Sequence, residues 1–573
     1  MYKSKYPLIK DANFYKKINK IYKKYTIPKN KKTLNQICFP KEYELQLPQK
    51  FVSEYINPDT PYKGILVYHR IGSGKTCTAI QIAEKWKHDK KIMIVLPASL
   101  KGNFRTELRS QCAKNEYITE KERKILNNLN PTDDEYLDII EKSDERIDKY
   151  YTIYSYNKFI ELLDNKSINF NNTLLIIDEI QNMVSEEGKY YQVLYDAIQN
   201  APTNMRIVLL SATPMFDKPN EIALTMNLLR IPHELPIGKE FDKKFISVYD
   251  NNGKLNLKVK NIDYFKEQLK GYVSYFRGAP PNVFPKMTLK YVDCEMSDFQ
   301  YSIYKSVLKN EEKQSGKSLD GLSVRDLPNN FYIGTRFVSN VVFPNKKVGE
   351  GGLKSFKGVH IKKNLEIYSP KFFKIIEKIE SKSGKAFVYS SFKEFGGIRS
   401  FVKVLEEFGY KNYLEHGEGK KRYAIWSGDE NIEVKEEIKT IYNQKTNLNG
   451  SKIKVLLGSP SIKEGISLTG VRQVHLIDPY WNKSRIDQVV GRASRFCSHK
   501  DLEEEKRTVK VYIYIATHPE INQTVDQYIA YVADRKNKVI SEFEKAIKES
   551  AVDCSLFKNG NVFKGEDDLK CVK

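Results

Sequence analysis

A few side chains in this sequence have the types and spacing to do chemistry, and the densest group lies in GILVYHRIGSGKTCT, residues 64–78. A short apolar run there breaks into a glycine-rich turn ending in Lys75 and Thr76. Gly72, Ser73 and Gly74 let backbone N–H groups close around phosphate oxygens, Lys75 reaches the outer phosphates, and the Thr76 hydroxyl is placed to ligate Mg²⁺. The segment from Thr76 to Ala83 reads as a helix whose positive N-terminal end faces the same anion. The strict form of this pattern asks for glycine at position 69, where the chain has His69. A second apolar run, LLIIDEIQN, sets Asp178 and Glu179 at the carboxyl end of a buried strand, where open α/β sheets bind ligands. Asp178 is expected to hold Mg²⁺, and Glu179 to take the proton of a water attacking the terminal phosphate. RIDQVVGRASR supplies Gln488, Arg492 and Arg495, four and three residues apart, so on a helix all three point one way. Guanidinium groups suit the spreading charge of a phosphoryl transition state.

These groups need a scaffold, and the apolar pattern supplies one. Short, nearly continuous apolar runs at 65–69, 92–97, 152–156, 174–178 and 206–211 alternate with helix-like stretches. That is the pattern of a parallel sheet covered on both faces. Before it, LQLPQKFVSEYI has apolar residues at helical spacing after Pro48, with Gln49 at the start. The rhythm resumes at 386–391, 423–428, 453–459, 473–478 and 509–516. The expected fold is therefore α/β, two doubly wound parallel-sheet lobes. The boundaries read as a basic N-terminal arm at 1–40, lobe 1 at 41–230, a mainly helical connector or insertion at 231–365, lobe 2 at 366–518, and a C-terminal helix and tail at 519–573.

Lys plus Arg number 95 against 72 Asp plus Glu, a formal charge of +23 that favours polyanionic partners. The chain is also rich in Asn, Ile, Lys and Tyr, the set an AT-rich genome would encode. In the arm, eleven lysines are opposed only by Asp11, with Tyr2, Tyr6, Tyr15, Tyr22 and Tyr25 interleaved. Such an arm either lies along a phosphate backbone with rings available to bases or is a solvated tail. No run reaches the length of a membrane span and no signal-peptide core is present, so the expectation is a soluble, non-secreted protein without a membrane partner. The seven cysteines are odd in number and lack metal-ligand spacing, which predicts reduced thiols in an intracellular setting.

Three smaller motifs leave two readings each. Ser211-Ala212-Thr213-Pro214 either links the carboxylates to a moving loop or is a tight turn stopped by proline. GSPSIKEGISLTG places Gly465 and Ser467 in a loop near nucleotide and a bound strand, or in an ordinary strand-to-helix turn. Trp481 of DPYWN is a stacking surface or part of a core.

Taken in order, HRIGSGKT, DEIQ, SATP, the EGIS loop, DPYWN and QVVGRASR resemble the motifs of superfamily 2 helicases and translocases. The His69 variant, the stretch ATPMFDKPNEIALTMNLLR and the later motif order are similar to the branch of poxvirus nucleoside triphosphate phosphohydrolase I. The small subunit of the viral early transcription factor is a neighbour in that branch, and the resemblance implies a large cytoplasmic DNA virus as source. It implies two RecA-like lobes and a nucleic-acid-dependent ATPase that uses ATP and Mg²⁺. Gln49 would recognise adenine; Lys75, Thr76, Asp178 and Glu179 would bind and hydrolyse Mg·ATP; Gln488, Arg492 and Arg495 would complete the site. Pro97, Ser99 and Asn103 match a motif that contacts the strand backbone. DNA or RNA would be the partner, with a viral RNA polymerase as a further one, in the virion and the cytoplasmic viral factory. A translocase acting in early transcription and an ATP-switched binding subunit of a transcription complex both fit these motifs.

Overall fold

The computed structural model describes residues 5–29, 32–70, 72–129, 133–185, 188–251, 254–316, 331–463, 466–563 and 566–573. The chain divides into two units, residues 1–280 with 538–573, and residues 281–537.

The first unit is built on a six-stranded parallel sheet in the order β3-β2-β4-β5-β1-β8. Its strands are β1 (Gly64–His69), β2 (Lys91–Leu96), β3 (Tyr151–Ser155), β4 (Thr173–Ile177), β5 (Arg206–Ser211) and β8 (Val273–Phe276). A small antiparallel pair, β6 (Ile246–Asn251) and β7 (Lys254–Val259), stands apart from it. Strand β1 is buried at every position because both faces of the sheet are covered. Leu66 and Tyr68 enter one apolar core, while Ile65 and Val67 enter another on the opposite face. This alternation is the period-two geometry of a strand with no solvent side.

The second unit repeats the design with seven parallel strands in the order β11-β12-β13-β10-β14-β15-β9. They are β9 (Lys286–Glu295), β10 (Lys385–Tyr389), β11 (Lys411–Asn412), β12 (Arg422–Trp426), β13 (Val455–Gly458), β14 (Val471–Leu476) and β15 (Thr508–Thr517). Ala386 and Val388 pack on one side of it, Phe387 and Tyr389 on the other. Two RecA-like α/β lobes are thus present. The stretch 231–365 supplies β6 and β7, the edge strand β8 of the first sheet and the edge strand β9 of the second. Among the described residues, no helix is long and apolar enough to cross a membrane.

Of the N-terminal tyrosines, Tyr15, Tyr22 and Tyr25 are not available to bases, Tyr6 is half-buried, and Tyr2 lies outside the described residues. Phe14, Tyr15, Ile18, Tyr22 and Tyr25 are buried in a core of the first unit. Over Phe14–Ile21 the apolar side chains recur at helical spacing, so the helix turns one face inward and leaves Lys16, Lys17 and Lys20 exposed. Buried hydroxyls find partners there: Tyr15 donates to the Ser550 carbonyl at 2.8 Å and Tyr22 to that of Glu54 at 3.0 Å.

The cysteine expectation also changes. Cys77 and Cys112, 35 positions apart, form a disulfide, and so do Cys554 and Cys571, 17 apart. Neither pairing follows from local spacing, because the fold brings each pair together. Cys294 is a buried free thiol.

Candidate nucleotide site

The site residues of the first unit sit beyond the carboxyl ends of β1, β4 and β5, the end of an open parallel sheet that receives ligands. After β1 the chain turns through Gly72 (φ 84°) and Gly74 (φ 74°), left-handed conformations that glycine adopts without a Cβ penalty. Gly74 caps the helix Lys75–Trp86. A Cβ on Gly74 would come within 2.5 Å of Gln49 Nε2 and would push that side chain aside, while the left-handed φ favours glycine whatever the space. Gln49 Nε2 donates to the Gly74 carbonyl at 3.2 Å, while its Oε1 accepts from the Gln46 N–H at 2.8 Å. Among the described residues, the buried Ser73 hydroxyl has no hydrogen-bond partner. An unspent buried donor beside positive-φ glycines at a helix N-terminus fits a bound polyphosphate. The oxygens of Thr76 and Asp178 suit Mg²⁺.

His69, which stands where the strict pattern has glycine, is the last residue of β1 and fully buried. The Ser274 hydroxyl on β8 donates to Asp553, which leaves its oxygen, 2.9 Å from His69 Nε2, to accept the imidazole N–H. Burial, helped by the charge of Lys75, lowers the His69 pKa to about 3, so the ring is neutral. Asp553 Oδ1 accepts from the Tyr275 N–H at 2.9 Å, and Asn561 bonds both the Arg277 N–H and the Tyr275 carbonyl. C-terminal side chains thereby close the open edge of β8 and hold the end of β1 through it.

Lys75 Nζ lies 3.2 Å from Glu179 Oε1. Glu179 has φ 50°, a left-handed conformation rare for a side chain of this size. The neighbouring Asp178 carboxylate is buried and accepts the Glu179 N–H at 2.9 Å. Burial first, then the charge of Glu179, raises the Asp178 pKa to about 7, with Lys75 and that N–H opposing. A raised pKa means that a proton holds the carboxylate below neutrality. The Mg²⁺ concentration needed for half-maximal hydrolysis should therefore rise as pH falls from about 8 to about 6, by up to roughly tenfold per unit below the pKa. A Mg²⁺ titration of ATPase rate across that range checks it, and a flat half-saturation point would sink the role given to Asp178.

Two groups not picked out as site residues from the sequence contact this pair, and one of them, Gln181, joins Glu179 to the next strand. Gln181 Nε2 donates to Glu179 Oε2, and its Oε1 accepts from the Ser211 hydroxyl at 2.7 Å. Ser211 in turn accepts the Thr213 N–H at 3.0 Å. Of the two readings of Ser211-Ala212-Thr213-Pro214, the link to the carboxylates is thus physically present. The Tyr156 hydroxyl lies 2.6 Å from the Asp178 carbonyl and 3.0 Å from that of Glu179. Gln181 was visible as the last letter of DEIQ, but its partner lies thirty positions away. Tyr156 carried no signal. Ser99 and Asn103 are exposed just past β2, and Pro97 is buried.

In the second unit, Asn482 caps the helix Lys483–Ala493, its Oδ1 accepting the Arg485 N–H at 3.3 Å. Gln488 and Arg492 lie one turn apart on that helix. Arg495 does not continue the row, because the helix stops at Ala493 and Ser494 leaves helical geometry. Its guanidinium instead donates to the Ser467 hydroxyl, tying the arginine motif to the EGIS loop. Gly465 lies outside the described residues. Trp481 is 4% exposed and packs in the core against Tyr480, with the Arg336 guanidinium 5.0 Å from its ring centre. It is core and not an open stacking surface.

Comparison with known proteins agrees with this architecture. The SNF2-related domain family matches residues 12–335, and the helicase conserved C-terminal domain matches residues 370–497. A putative ATP-dependent RNA helicase of Acanthamoeba polyphaga mimivirus is 56% identical over 99% of both chains. A second protein of that name from the same virus is 28% identical over 95% of this chain and 78% of its own length. A termination factor NPH-I homolog of African swine fever virus is 26% identical over 86% of this chain and 76% of its own. The chain belongs to the SNF2-related helicase family of large DNA viruses and is a helicase-type, nucleic-acid-dependent ATPase.

Proposed function

We propose that this protein is a translocase that couples ATP hydrolysis to movement along nucleic acid during viral early transcription. The observation that carries the reading is the continuous path from Lys75 through Glu179, Gln181 and Ser211 to Thr213. It gives the loop after β5 a direct mechanical tie to the group that would sense the terminal phosphate. When bound, Mg·ATP supplies the phosphoanhydride that is cleaved. Gly72, Ser73 and Gly74 would cradle phosphates, Lys75 would neutralise the outer ones, and Thr76 with Asp178 would hold Mg²⁺. Glu179 would take the proton of the attacking water, and Gln49 would read adenine while it holds the Gly74 carbonyl. To Gln488, Arg492 and Arg495 we assign stabilisation of the phosphoryl charge, and to Gly465 a place in the nucleotide-binding loop.

The transcription setting is supported by the name of the African swine fever virus relative; a viral RNA polymerase as partner and residence in the viral factory and virion are further parts of the proposal. The test is ATP hydrolysis by the purified chain with no polymer, single-stranded DNA, duplex DNA and single-stranded RNA at one fixed salt concentration. Strong stimulation by DNA supports a transcription-linked translocase. Stimulation by RNA alone moves the reading to an RNA helicase, and none by any polymer favours an ATP-switched binding subunit.

A further inference from the structure

Strand β9 is the outer strand of the second sheet, ten residues long and paired to β15 in parallel along its whole length. In a parallel pair, alternate residues turn both N–H and C=O to the same neighbour. The Lys286 N–H donates to Arg507 and the Met296 N–H to Thr517, so the even-numbered residues face β15. The odd-numbered residues, Met287, Leu289, Tyr291 and Asp293, turn their backbone groups outward. Lys374 Nζ occupies the Asp293 carbonyl at 2.6 Å and closes that end. Among the described residues, no partner takes the outward groups of Met287, Leu289 or Tyr291. Edge strands are usually short, charged, bulged or covered; this one is long and regular, and its lysines lie on one face only.

Its two faces differ in kind. Met287, Leu289 and Tyr291 are 48%, 40% and 56% exposed and stand in register with Val509, Val511 and Ile513, which are fully buried. The apolar layer under the sheet therefore runs out to the edge and stops uncovered. On the opposite face Lys286 and Lys290 flank Thr288, whose register partner is the exposed Lys510.

We propose that β9 is a docking edge for one extended segment of a partner protein that alternates apolar and acidic side chains. Such a segment adds an eighth strand: its backbone pairs with Met287, Leu289 and Tyr291, its apolar side chains cover theirs, and its carboxylates meet the three lysines. The charge complementarity selects an acidic strand over a second copy of this chain, which would bring lysine against lysine.

The probe is a capped peptide of about seven residues alternating isoleucine and glutamate, titrated against the full chain by fluorescence anisotropy, with an isoleucine–lysine peptide as counterpart. The acidic peptide should bind at least about tenfold more tightly. Leu289→Pro should abolish binding and leave basal ATPase unchanged, because the Leu289 N–H makes no ladder bond and proline is tolerated on a sheet edge. The double charge reversal Lys286→Glu with Lys290→Glu alters only exposed side chains and should invert the peptide preference, which covers the case in which proline disturbs the fold. Absence of acidic-peptide binding, binding indifferent to both variants, or a chain dimer that Leu289→Pro dissociates would each overturn the proposal. None of these outcomes depends on whether nucleic acid stimulates the ATPase.

Discussion

Lys75→Ala is expected to lose ATP turnover by roughly 10²–10³-fold or more, the scale on which removing one positioned charge-stabilising donor acts. Two effects combine. The variant removes the ammonium at the phosphate cradle, and it leaves Asp178 and Glu179 as neighbouring carboxylates without the cation that sits 3.2 Å from Glu179. Two like charges in a buried site resist simultaneous ionisation, so the Asp178 pKa should rise further and Mg²⁺ binding should weaken with it. Lys75→Ala therefore loses ATP affinity as well as rate. Glu179→Gln should match it in lost turnover and differ in binding: the base is gone, yet the cradle, Lys75 and Asp178 remain. Equilibrium binding of a fluorescent ATP analogue, measured beside steady-state hydrolysis, separates the two. Equal loss of nucleotide binding in both variants would refute the division of labour between cradle and base.

Phe14→Ala should destabilise the first unit by about 3–5 kcal/mol, the usual cost of emptying a buried aromatic site. Phe14 is fully buried and meets the rings of Tyr15 and Tyr62 edge-on at 5.4 and 6.1 Å. Tyr22 extends the same cluster to Phe51 and Tyr55 on the helix that carries Gln49. Loss of this packing should loosen the support of Gln49, so the variant is expected to lower the melting temperature and raise the KM for ATP together. Lys16→Ala, on the exposed face of the same helix, should change neither. Thermal unfolding with and without ATP reads both variants. If Phe14→Ala melts like the parent, the segment is not part of the folded unit.

The contrast between those two residues shows what the sequence could disclose. The glycine-rich turn, the DEIQ carboxylates and the two parallel sheets are local signals: a turn, a strand end or an apolar run states its own geometry within about a dozen residues. The role of Tyr15 and Tyr22 was hidden because lysine density dominates that stretch, although Phe14, Ile18 and Tyr22 already carried the helical spacing. Arg495 was placed on a helix by its three-residue offset from Arg492, and only the departure of Ser494 from helical geometry shows where that helix ends. Gln181 and Ser211, Cys77 and Cys112, and His69 with Ser274 and Asp553 are pairings between distant segments. Their partners are set by strand order, which apolar periodicity does not encode.

The discontinuity of the first unit also bears on how the protein is made. The ribosome completes all of residues 281–537 before it reaches the segment 538–573 that supplies Asp553 and Asn561 to β8. Until then the first unit in the nascent chain has an open strand edge, while every residue of the second unit has already been synthesised. Multidomain chains generally fold N-terminal domain first during synthesis. Here the unit that begins first is expected to finish last, and a released chain truncated shortly before residue 550 should have a second unit that resists protease while its first unit is cut.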